Sequence, residues 1–116
     1  MPPKFEKPPL LQGSLDLLIL RSLTIGSQHG YAITKHLREV SQEFLQVEEG
    51  SLYPALHRLE QRGWIAARWG LSDANRRAKY YSLTAAGKKQ LQLETKAWEK
   101  MSKAINRVLN FRPAET

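Results

Sequence analysis

Residues 47–65 read VEEGSLYPALHRLEQRGWI, and the change of period inside this stretch decides the fold. Leu52, Ala55, Leu56 and Leu59 recur at helical spacing, which predicts a helix with one apolar face. Its start falls within residues 48–51, where Glu48 and Glu49 suit the positive end of the helix dipole. Its stop is Gly63. Pro54 has no N–H to donate, so the beginning is expected to be irregular or close to Pro54. Beyond Gly63, residues 64–69 (WIAARW) read as a strand and residues 70–78 (GLSDANRRA) as a turn. Residues 79–83 (KYYSL) then read as the returning strand of a hairpin.

Towards the N-terminus, residues 41–47 form a polar turn with Phe44 and Leu45 as apolar anchors. A helix over residues 30–40 precedes it, with Tyr31, Ala32, Ile33 and Leu37 on its apolar side. An earlier helix runs from Gly13 or Ser14 to Thr24, capped by Ser14 and stopped by Gly26. Its apolar residues (Leu15, Leu17, Leu18, Ile19, Leu20, Leu23 and Ile25) nearly encircle it, so part of its cover is expected from a second chain. Prolines 2, 3, 8 and 9 make residues 1–9 a flexible arm. Towards the C-terminus, Thr84 caps a long helix over residues 85–110, slightly weakened by Gly87, and residues 111–116 form a disordered tail.

Two helices joined by a short turn and followed directly by a hairpin make a winged helix-turn-helix. The expected class is mainly α (α+β), with the DNA-binding unit over residues 10–83, a two-stranded β wing, and a C-terminal dimerisation helix over residues 84–110. Composition agrees. The 116 residues carry 18 Lys and Arg against 11 Asp and Glu, a net charge of +7 that attracts polyanions. Cysteine is absent, which excludes disulfides and thiolate chemistry. No apolar run approaches the roughly 20 residues of a membrane span, and no signal peptide is recognisable, so a cytoplasmic, nucleoid-associated bacterial protein is expected. His29, His36 and His57 have no metal-binding spacing, and no phosphate loop or nucleophile motif occurs. Neither catalysis, metal nor cofactor is expected. His29 reads as a cap or DNA-proximal residue ahead of the second helix.

With the leucines inward, the outer face of the third helix presents Gly50, Pro54, His57, Arg58 and Gln61, flanked by Ser51 and Tyr53. The N-terminal end of a recognition helix is the part positioned over base edges. On the hairpin, Arg76 and Arg77 occupy the tip, Lys79 follows, and Arg68 lies on the first strand, placing cations where phosphates would pass.

The combination of residues 47–65 with NRRAKYYSLTAAGKKQL (75–91), LLQGSLDLLILRSL (10–23) and HGYAI (29–33) closely resembles the PadR family of bacterial regulators. The resemblance covers residues 10–91. It implies a dimeric winged-helix repressor, often responsive to small aromatic or toxic compounds. By position it implies DNA contact from Tyr31, Ser51, Leu52, Tyr53, Arg76, Arg77 and Lys79. Periodicity instead sends Leu52 to the core.

Past Leu91 the spacing carries more of the reading. Trp98, Met101, Ile105 and Val108 recur at three and four residues, the seam of a coiled coil. Such a seam suits a two-fold partner. Leu15, Leu18 and Ile19 are expected to share that dimer interface. A single C-terminal helix is also what the short branch of the family carries. The resemblance further implies that Trp98, with Met101 beside it, stacks on a planar aromatic effector, whereas the bare spacing reads Trp98 as packing. The functional expectation is a repressor binding a near-palindromic operator as a homodimer. The alternative is a winged-helix protein-interaction module without sequence-specific DNA binding.

Overall fold

The computed structural model describes residues 12–114. The element order is α1 (Gln12–Ser22), β1 (Gln28–His29), α2 (Gly30–Val40), α3 (Glu49–Gln61), β2 (Ile65–Leu71), β3 (Arg77–Leu83) and α4 (Ala85–Leu109). The expected N-terminal arm, residues 1–9, lies outside the described residues, as do residues 115 and 116 of the tail.

The core is assembled around α1, which packs on α2, α3 and α4. Ile19, Leu20, Ile33, Ala55, Leu56 and Leu59 have no exposed surface at all. Leu52 is 1% exposed, as its periodicity predicts. Leu15 (4%) and Ile19 (0%) are likewise sealed by the chain's own helices. That corrects their assignment to a dimer face: three surrounding helices already cover them, and of the leucines and isoleucine on α1 only Leu17 and Leu18 remain half-buried. Ser14 lies inside α1 rather than at its cap, and Ile25, beyond the helix end, is exposed.

The α2–α3 connection has no glycine. Instead α2 closes in a Schellman arrangement, with Gln42 N–H donating to Glu39 O (3.1 Å) and Glu43 N–H to Arg38 O (2.8 Å). Gln42 (φ 55°) takes up the left-handed backbone this requires, and Glu43 (φ 69°) follows it in the same region. Leu45 N–H donates to Ser41 Oγ at 2.8 Å. Phe44, expected as an anchor, is 55% exposed, and Val47 packs on the core instead. Helix α3 starts within the expected residues 48–51, but not close to Pro54. The helix begins at Glu49, one turn before Pro54, because Ser51 and Leu52 N–H both donate to Glu48 O and close the first turn without proline.

The hairpin joins Ile65–Leu71 to Arg77–Leu83 in antiparallel register. Its turn is closed by Asn75 N–H donating to Ser72 O, and Asn75 is in the left-handed region that Asn tolerates. A third strand was not expected. Gln28 and His29 pair with Tyr81 and Tyr80, giving the sheet order β1-β3-β2 and tying the entry of α2 to the wing.

At the other end of the wing, Thr84 caps α4 as predicted. Its Oγ1 accepts from Gly87 N–H (3.0 Å) and donates to Gly63 O (2.6 Å), so helix, strand and turn are locked together. Among the described residues, no helix is long and apolar enough to cross a membrane.

Candidate DNA-reading face

Strand alternation sorts the wing cations. Trp69, Arg77, Lys79 and Tyr81 fall on the face that turns towards α2 and α3, whereas Arg68 pairs with Tyr80 on the opposite face. The Arg77 guanidinium lies over the Trp69 ring, 4.6 Å from its centroid. The two are diagonal neighbours, since Trp69 pairs directly with Lys79. The stack pre-orients an arginine that is otherwise exposed. Lys79 is restrained differently: its Nζ is 3.3 Å from Glu60 Oε1 on α3 and 5.7 Å from the Tyr81 ring. Arg76, in the turn, is exposed.

Tyr81 is the buried floor of this face, 5% exposed. Burial pushes its hydroxyl pKa above the ordinary tyrosine range, and Glu60 reinforces this while Lys79 opposes it. The hydroxyl therefore stays protonated and neutral at physiological pH.

His29 caps α2, its Nδ1 accepting from Ala32 N–H at 3.1 Å. The ring also meets Tyr80 edge-on (5.4 Å) and stacks towards Tyr31 (6.4 Å). Tyr31, 67% exposed, thereby projects from the first turn of α2. Across from it, Tyr53 of α3 packs its ring on the bare backbone of Gly30, where a Cβ would lie 3.0 Å from the tyrosine oxygen.

These residues line one open cleft of about 790 Å³ between α2, α3 and the wing. Of the residues expected from sequence, it gathers Tyr31, Tyr53, Arg76, Arg77 and Lys79. Ser51, Pro54 and His57 are exposed on α3 but do not line it. Arg58 departs from the expected outer face. Its Nη2 turns inward to Asp16 Oδ1 on α1 at 2.9 Å, because a carboxylate only 7% exposed demands a cationic partner. The lining residues missed include Lys35, Trp69 and Tyr81. Lys35 lies four residues after Tyr31 on the same helical face, a spacing that could have revealed it. Trp69 became visible only through the strand register.

The fold and this cleft define a winged helix-turn-helix protein whose second and third helices and wing converge on one open, cation-bearing face. Residues 19–93 match the transcriptional regulator PadR-like family. This chain belongs to that family of transcriptional regulators. It is 32% identical over 77 residues to the negative transcriptional regulator PadR of Bacillus subtilis, a match covering 66% of this chain and 42% of that protein. It is 30% identical over 94 residues to a transcriptional regulator of Mycobacterium tuberculosis, covering 81% of this chain and 84% of the relative. A solved transcriptional regulator from Clostridium thermocellum superposes with a TM-score of 0.76 at 34% identity, over 83% of this chain and 93% of that one.

Proposed function

We propose that this regulator is a repressor that reads a near-palindromic DNA operator as a homodimer. The observation that carries the reading is the cleft itself: Tyr53 of α3, an exposed Tyr31 and the Trp69-braced Arg77 face one space. Ser51, Tyr53, Pro54 and His57 would meet base edges or sugar in the major groove, while Arg76, Arg77, Lys79 and Lys35 hold phosphates. The B. subtilis relative is a negative regulator, which favours repression by occlusion.

Dimerisation rests on α4. Trp98 (53%), Met101 (58%), Ile105 (49%) and Val108 (75%) are exposed along one seam, more apolar surface than one helix leaves to water unless a partner covers it. A planar aromatic effector bound between two copies of Trp98, with Met101 adapting to it, would alter the spacing of the two reading heads and lower DNA affinity.

Gel-shift titration against the chain's own upstream DNA, with salt varied, tests the reading. A specificity ratio near one would favour a protein-interaction module instead. Size exclusion of Trp98→Asp and Ile105→Asp tests the seam, and variants that remain dimeric would sink it. With Trp64 and Trp69 replaced by Phe, quenching of Trp98 fluorescence by planar aromatics tests the effector.

A further inference from the structure

The chain's positive charge does not sit mainly where the reading head is. Residues 28–83, spanning the helix-turn-helix and the wing, carry eight Lys and Arg against six Asp and Glu. Helix α4 alone carries six against two. Its cations are also ordered. At 100° per residue, Lys89, Lys96, Lys100, Lys103 and Arg107 fall within an arc of about 60°, along about 27 Å of helix. All five are exposed. Among the described residues no ion pair involves any of them.

This arc lies on the opposite side of α4 from the Trp98–Ile105 seam, so a dimer closed through the seam leaves it open. A straight row of point charges without apolar anchors suits a phosphate rod better than a protein surface, which recognises through buried aromatic or aliphatic anchors. Leu93 is the one large apolar side chain bordering the arc, and it stands near one end. A lipid-binding helix would need its apolar face turned to the membrane. Here that face is the seam.

We propose that the outer face of α4 is a second DNA-binding surface, sequence-independent, which holds the phosphate backbone of a separate duplex. Two such faces on a two-fold dimer would let one repressor hold its operator and a distant DNA segment together. The binding chemistry of the arc does not depend on the operator reading; the bridging does.

The test uses the full chain and the triple variant Lys96→Gln/Lys100→Gln/Lys103→Gln, all at exposed positions. Binding to a duplex of unrelated sequence is measured against salt. The variant is expected to lose about 2–3 from the logarithmic salt slope, near 0.9 for each phosphate contact removed. Beads carrying the upstream duplex and loaded with wild type should capture a second, labelled unrelated duplex, and beads loaded with the variant should not. The variant should shift the upstream duplex as wild type does. Arg76→Ala/Arg77→Ala should do the reverse, losing the upstream preference while the arc-dependent part of the slope remains, which separates failure of the reading head from failure of the arc. An unchanged slope in the triple variant overturns the proposal, as does a wild type that captures no second duplex. So does arc-dependent binding to phosphatidylserine vesicles without arc-dependent DNA binding.

Discussion

Arg58 and Asp16 form an ion pair at 2.9 Å that joins α3 to α1, with the carboxylate 7% and the guanidinium side chain 28% exposed. The Arg58 Nε is buried without a hydrogen-bond partner. The pair therefore fixes how α3 leans on the core rather than offering a charge to DNA. Removing one partner leaves the other buried and uncompensated. Arg58→Ala or Asp16→Ala is expected to cost about 2–4 kcal/mol in urea unfolding, below the full buried-pair range because Arg58 keeps some water. Asp16→Leu combined with Arg58→Met should recover most of that loss. If Arg58→Ala instead lowered the DNA salt slope by about 0.9 with stability unchanged, Arg58 would be a phosphate contact.

Gly87 sets two effects against each other. Alanine is better than glycine in a helix by about 1 kcal/mol. A Cβ at position 87, however, would overlap Trp64 O and press on Leu83 Cδ1 at 2.9 Å. The carbonyl is backbone and is already held by Thr84 N–H at 3.1 Å, so it cannot step aside. Overpacking of this kind costs about 1–3 kcal/mol or more. Gly87→Ala is therefore expected to lower the thermal midpoint, whereas Gly13→Ala, where a Cβ would meet nothing among the described residues, should leave it unchanged or raise it.

The helices, their faces and the hairpin were legible because each rests on a local signal: leucines at helical spacing, Gly63 as a stop, Thr84 as a cap. What escaped was non-local. Arg58 looks outward until Asp16, 42 residues earlier, is placed beneath it. Leu15 and Ile19 look available to a partner until α2, α3 and α4 close over α1. The two-residue β1 strand has no period of its own and exists only because β3 offers it an edge. Net charge pointed to nucleic acid correctly as a family property but not to a location, since composition does not distinguish the wing from α4.

Tyr81 makes alkaline stability measurable. Burial, the main cause, raises its pKa in the folded state, with Glu60 adding to the rise and Lys79 opposing it. The unfolded chain therefore releases this proton first. The stabilisation is complete below about pH 10, the ordinary tyrosine value. It declines as pH rises from there through the folded-state pKa. Tyr81→Phe is expected to flatten that decline in chemical unfolding followed from pH 8 to 11. A wild-type phenolate titration in which every tyrosine ionises at the ordinary value would contradict the assignment.

Gly30 and Tyr53 separate binding from stability. A Cβ at position 30 would stand 3.0–3.2 Å from the Tyr53 hydroxyl and ring. That neighbour is the far end of a side chain 47% exposed, so it can swing outward at small cost. Gly30→Ala should then leave unfolding within about 0.5 kcal/mol of wild type, as expected where a mobile surface group absorbs the change. Tyr53 would no longer hold its position in the cleft, and operator affinity is expected to fall by about tenfold, the effect of losing roughly one good contact at 1.4 kcal/mol. Tyr53→Phe keeps the ring on Gly30 and removes only the hydroxyl. A smaller loss in Tyr53→Phe than in Gly30→Ala would assign the contribution to ring placement. Equal operator binding by wild type and Gly30→Ala would remove Tyr53 from the reading face.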